Sequence, residues 1–220
     1  MFEKMIEKLK LLAETKPPFD PSRFGDPIAM QTQWTPAKGG GASFRTHKLE
    51  QIDMNILVFK ASAGAMLFYS IFMIMGITAM VVFPLASSQS GGFDFNIELI
   101  MPCLIGMVFV VIGGGLFYFG TKPIVFDKYK GYFCKGRRVP DQVYSGISTK
   151  DFTRLSNIHA LQLISEYCRG NKSSYYSYEL NLILKDGKRI NVVDHGNPEK
   201  LREDAQTLSG FLGVPVWDAI

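Results

Sequence analysis

Asp194 and His195 stand side by side just before Gly196-Asn197-Pro198. A carboxylate next to an imidazole is the pairing that general acid–base catalysis uses. Such chemistry also needs a nucleophile or substrate within hydrogen-bond reach, with both side chains turned towards it. In an extended segment neighbours point to opposite faces, so the pair reads first as the end of a strand and the start of a helix. His47 and His159 are isolated in sequence, and the chain holds no HExxH, Walker loop, dinucleotide-binding glycine fingerprint or GxSxG. Cys103 lies in the second apolar run, and Cys134 and Cys168 lack the close Cys or His neighbours of a zinc site and read as ordinary thiols. No catalytic residue, metal or cofactor is therefore assigned from the sequence.

The second charged constellation is basic: Lys128, Lys130, Lys135, Arg137 and Arg138. Directly after an apolar run, such a cluster can contact anionic lipid, at about 1 kcal/mol per residue, or a protein partner. It also serves as a topology signal. Arg169 to Ser177 is a polar, tyrosine-rich stretch, either a contact surface or a plain hairpin loop. The formal net charge of +4 is too mild for a nucleic-acid binder.

These residues are positioned by a chain with two long apolar runs. Ala61 to Ala86 and Leu99 to Thr121 carry no charged side chain, and each exceeds the roughly 20 residues a helix needs to cross a bilayer. Ser87 to Glu98 joins them as a short polar connector. Lys and Arg flank the pair on one side and are missing from the connector, which places both termini in the cytoplasm of a bacterial inner (plasma) membrane. Gly106, Gly113 and Gly120 recur every seven residues on one face of the second span. That stripe is expected to pack against the first span, with homo-oligomerisation through the same face as the alternative. Neither span has an ionisable residue at its centre, which counts against an ion pathway or proton relay.

The chain thus divides into an N-terminal segment over 1–56, a two-helix hairpin over 57–120 and a folded domain over 121–220. Met1 to Glu14 has helical apolar spacing and a basic polar face, and either lies on the membrane surface or packs on the folded domain. Phe19 to Gly41, rich in Pro and Gly, reads as loop, with Trp34 and Phe44 anchored at the interface or on the domain. Pro123–Lys135 reads as a β-hairpin turning at Gly131, Ile158–Cys168 as a strand, and Tyr176–Val193 as two strands joined by Asp186-Gly187. A closing helix is capped by Asn197, started by Pro198 and stopped by Gly213 and Pro215. Its apolar stripe is Leu201, Ala205, Leu208 and Leu212, with Phe211 at the edge.

PIVFDKYKGYF at 123–133, YELNLILKDGKRINVVDH at 178–195 and PEKLREDAQTLSGFLGV at 198–214, following a transmembrane hairpin, resemble bacterial membrane-anchored pleckstrin-homology-like (PH-like) proteins. The layout of two spans and a cytoplasmic domain is also similar to that of a photosystem I assembly factor. The resemblance implies an α+β fold: an antiparallel β domain closed by a C-terminal helix and acting as a membrane-proximal binding or assembly module. The expected function is non-enzymatic, a scaffold whose module binds lipid head groups or a protein partner. The alternatives are a membrane immunity protein against a pore-forming toxin and a membrane enzyme using Asp194 and His195.

Overall fold

A computed structural model describes residues 19–89, 97–137, 148–170 and 173–220. The predicted N-terminal amphipathic helix, much of the connector, and Arg138 lie outside them. The fold is α+β. Two apolar helices, α2 (Ala63–Gln89) and α3 (Ile97–Gly120), lie beside a β domain with nine strands among the described residues. Their apolar stretches, Ala63–Ala86 and Ile100–Gly120, are long and apolar enough to cross a membrane.

The β domain begins earlier in the chain than the sequence suggests. His47–Asp53 (β1) and Ile56–Ala61 (β2) form a hairpin, and β2 pairs antiparallel with Ile124–Asp127 (β3), Phe59 opposite Ile124. Tyr132–Lys135 (β4) and Phe152–Arg154 (β5) complete a five-stranded sheet in sequence order. The two apolar helices are therefore an insertion between adjacent strands of one sheet. The boundary drawn at residue 57, and the start of the domain at 121, do not hold, because β1 and β2 belong to the sheet. β2 escapes notice in sequence because Ile56-Leu57-Val58-Phe59 runs into the first span with only Lys60 between.

The second sheet has the order β8-β7-β6-β9, built from Ile158–Arg169 (β6), Ser174–Leu184 (β7), Arg189–His195 (β8) and Val216–Ala219 (β9). β6, β7 and β8 are antiparallel, as the Asp186-Gly187 turn leads one to expect, with Gly187 at φ 79°. β9 is an addition: it follows the last helix and pairs parallel to β6. That helix, α4 (Pro198–Leu212), has the predicted ends. Asn197 Oδ1 accepts from the Lys200 amide at 2.9 Å, and Gly213 adopts φ 71°.

One core joins the two sheets and α4. Phe59, Phe126 and Phe133 come from the first sheet, Leu163, Leu180 and Leu182 from the second, and Leu201, Ala205 and Leu208 from the helix. The outer face of the second sheet is covered by the Pro- and Gly-rich segment expected to be loop. It contains a 3-10 turn (Pro21–Phe24) and a short helix, α1 (Pro27–Gln31), and packs Phe24, Ala29 and Trp34 on Ala160, Ile183 and Trp217. Buried polar contacts hold this strap in place. The fully buried Glu179 carboxylate accepts from the Ala37 and Lys38 amides at 2.8 and 2.9 Å, and Asp26 Oδ2 lies 2.6 Å from His159 Nε2.

The glycine stripe faces α2. A Cβ at Gly106 would lie 2.7 Å from the Gly76 carbonyl oxygen, and one at Gly113 2.6 Å from the Met73 amide nitrogen. The ring of Tyr69 occupies the equivalent space at Gly120, whereas Gly114 and Gly115 have nothing within 4 Å. Backbones this close leave no room for a side chain.

Candidate functional site

A cavity of about 310 Å³ opens where the two long helices meet the β domain. Its helix side is formed by Tyr69 from α2 and by Phe119 and Gly120 at the end of α3. The domain side comes from Thr46 and His47 at the start of β1, Ile124 on β3, Lys135 on β4 and Asn191 to Asp194 on β8. The strap adds Lys38, Gly40 and Ala42, and Lys122 follows α3 directly. Elements far apart in sequence converge here because both covalent connections between helices and sheet, Ser62 and Thr121 to Pro123, lie at the same end of β2 and β3. Ser62 Oγ accepts from the Ala65 amide at 3.1 Å and closes the start of α2. At the end of α3, Arg137 donates to the Tyr118 carbonyl and to Thr121 Oγ1, both at 2.7 Å, placing a cation at the negative end of the helix.

The cavity is predominantly basic. Lys38, Lys122 and Lys135 line it with a single carboxylate, Asp194. Asp194 Oδ1 accepts from Asn191 Nδ2 at 2.9 Å, and its Oδ2 lies 3.6 Å from Lys38 Nζ. Lys135 Nζ donates to the carbonyl and side-chain oxygens of Asn191 at 3.3 and 3.4 Å, both neutral acceptors. Burial pulls the Lys135 ammonium below its ordinary pKa; Asp194 acts against that shift, and Lys38 and Lys122 reinforce it. A desolvated ammonium beside two like charges gains from any anion that enters.

The predicted basic cluster is divided by the β3–β4 hairpin. Lys135 reaches the cavity and Arg137 the end of α3. Lys128 and Lys130 belong to the turn at the far end of the strands, where Lys128 Nζ lies 4.4 Å from the Phe211 ring centre and the Lys130 amide donates to Asp127. A turn that reverses direction between residues 127 and 132 cannot keep all of these side chains on one patch. Lys38, in the segment that reads as loop, and Lys122, directly after the second apolar run, lie outside the predicted cluster.

Asp194 and His195 are not brought together. Asp194 lines the cavity, while His195 is fully buried and its Nδ1 accepts from the Asn197 amide at 3.0 Å. His195 Nε2 has no hydrogen-bond partner. Burial, assisted by the Arg45 charge, pulls its pKa down to about 4. His47 is pulled to about 4 by burial and by Lys135. Both imidazoles thus stay neutral in the fold at pH values where the unfolded chain, near 6.5, takes up protons. Their contribution to stability is complete well above pH 6.5 and is lost as pH falls towards 4, by up to about 3 kcal/mol for each imidazole. Urea unfolding of the detergent-solubilised protein should show this decline, and His195→Gln should make it shallower. A pH-independent midpoint across that window would mean that the imidazoles are solvated.

Burial also pushes up the Cys134 thiol, which packs with Tyr132 and Phe152. Among the described residues, no group of three or more His, Cys, Asp or Glu side chains is placed to hold a metal ion. Compared with family models, curated proteins and solved structures, the chain matches none.

Proposed function

We propose that this chain is a non-enzymatic, two-span inner-membrane protein. On this reading its β domain lies on the cytoplasmic face and takes an anionic lipid head group into the junction cavity. The observation that carries the proposal is the gathering of Lys38, Lys122 and Lys135 around one carboxylate, against the ends of two membrane-length apolar helices. An anion at that position meets basic side chains at head-group depth, and its acyl chains can continue along the lipid-facing helices. Orientation with both termini inside follows from the basic residues that flank the hairpin on one side. We assign the module to the PH-like type on its two packed sheets and closing helix, with β9 and the inserted hairpin as departures from that plan. Its scaffold or assembly role rests on this head-group contact.

The test uses the full-length protein, extracted in mild detergent from membranes containing phosphatidylglycerol, with retained lipid quantified by mass spectrometry. At about 1 kcal/mol per basic residue, Lys38→Ala/Lys122→Ala/Lys135→Ala should lower retention of anionic lipid by tenfold or more. Lys128→Ala/Lys130→Ala, at the far end of the strands, should leave it unchanged. Equal retention by both variants, or preferential loss with the second, overturns the assignment of the cavity.

A further inference from the structure

The β6–β7 ladder is longer than the sheet around it. It runs from Ile158 opposite Leu184 to Arg169 opposite Ser174, whereas β8 ends at His195, opposite Tyr178. β9 pairs only with Leu161 to Ile164. The hairpin end beyond Tyr178 therefore has no strand beside it, and burial changes abruptly there. On the face of Leu180, which is fully buried, Tyr167 and Tyr176 are 58% and 51% exposed, while the opposite face is covered by the strap, where the Gly40 amide donates to Glu166 at 2.9 Å and Tyr175 donates to the Gly41 carbonyl at 2.9 Å.

The overhang points towards the long helices. β8 runs from the Asp186-Gly187 turn to the cavity, so antiparallel β7, followed backwards from Tyr178, continues in the same direction. The Gly196 amide donates to the Phe44 carbonyl at 3.0 Å, and the Phe44 ring lies 5.7 Å from that of Phe68, already inside the apolar stretch that starts at Ala63. The level of His195 and Tyr178 thus already matches the second turn of α2. Two to four further residues at about 3.3 Å each carry the hairpin end some 7–13 Å beyond it.

The chemistry of the end suits that depth. Tyr167 and Tyr176 are paired across the ladder with ring centres 5.2 Å apart, and strand alternation puts Arg169 and Ser174 on the same face. Paired phenols beside a guanidinium, exposed to solvent in a small domain, match the amphipathic side chains that populate the bilayer interface. The geometry points to the β6–β7 hairpin end as a second membrane contact that seats Tyr167, Tyr176 and Arg169 in the head-group layer beside the two spans. This contact rests on the spans lying in a bilayer but not on head-group binding in the cavity.

The test places single nitroxide labels on the full-length protein in nanodiscs of phosphatidylcholine and phosphatidylglycerol, with Cys103, Cys134 and Cys168 replaced by serine. Tyr176→Cys reports the hairpin end. Met107→Cys reports a lipid-facing site of α3, and Met54→Cys, at a residue 84% exposed on the β1–β2 turn, reports the opposite end of the domain. Collision with an aqueous nickel complex should be several-fold lower at 176 than at 54, with 107 lower still. Equal collision at 54 and 176 with 107 protected overturns the hairpin contact alone; exposure of 107 overturns the spanning of the bilayer as well. Protection at 176 accompanied by dipolar broadening between labels identifies a second copy of the chain as the occupant and also overturns the contact.

Discussion

Replacing Arg45 by alanine should cost the protein roughly 2–4 kcal/mol, because it leaves the nearly buried Asp204 carboxylate without its partner; the Arg45 side chain itself is 28% exposed, so the pair is only partly buried. Arg45 Nη2 lies 2.9 and 3.2 Å from Asp204 Oδ2 and Oδ1 on α4, and Arg45 Nε donates to the His47 carbonyl at 3.1 Å. Its own carbonyl accepts from Ser62 Oγ at 2.5 Å, directly before α2. One residue therefore ties the strap's exit, β1, α4 and the root of the hairpin. Asp204 is 8% exposed, and its burial raises the carboxyl pKa against the opposing pull of Arg45. Without Arg45 that pKa rises further, and the sign of the pH effect follows. An acid whose folded pKa lies above its unfolded value near 3.9 stabilises the fold below that value, and the benefit disappears as pH rises through the folded pKa. The penalty of Arg45→Ala relative to wild type should therefore be smaller at about pH 5 than at about pH 8, and loss of the Arg45 charge beside His195 acts in the same direction. Denaturant unfolding in detergent at the two pH values measures it. Arg45→Met/Asp204→Leu should cost less than the sum of the single substitutions; strict additivity would show that the pair is not coupled.

What the sequence discloses is what local chemistry dictates. The Asp186-Gly187 hairpin, the Gly131 turn and the ends of α4 are each written within a few neighbouring residues, and the structure places them accordingly. The glycine face of α3 is equally local, because a seven-residue recurrence needs no knowledge of the partner. The strap is invisible for the opposite reason. Phe24 and Trp34 have no period of their own, and their partners Ala160, Ile183 and Trp217 lie more than a hundred residues away. β1 hides as an edge strand with little buried surface, and β2 merges with the first span. The cavity inherits these omissions. The sequence offers Lys135, but Lys38 arrives on the strap, Thr46 and His47 on β1, and Tyr69 on α2, so the site exists only once the hairpin is inserted between β2 and β3.

Leu208→Ala should destabilise the β domain by roughly 2–5 kcal/mol, whereas Glu203→Ala should cost under about 0.5 kcal/mol. Leu208 is fully buried in the core shared by both sheets, together with Leu201 and Ala205 on the same face of α4. Glu203 is exposed on the other face, where its carboxylate meets Lys200 Nζ at 2.7 Å, an i,i+3 surface pair of the kind that contributes little. The expected ratio follows from the place of α4 in the fold. The helix is flanked by β8, which lines the cavity, and β9, which extends the second sheet, and Arg202 fastens it to Asp218 at 2.6 Å. A void at Leu208 therefore cannot be filled by a simple shift of the helix, because both of its ends are held by strands. Collapse is restricted, and the cost should fall in the upper part of the range. Thermal unfolding followed by tryptophan fluorescence, from Trp217, 2% exposed on the neighbouring strand, and from Trp34 packed against it, reports the loss. Equal midpoints for the two variants would place the apolar stripe of α4 on the wrong face.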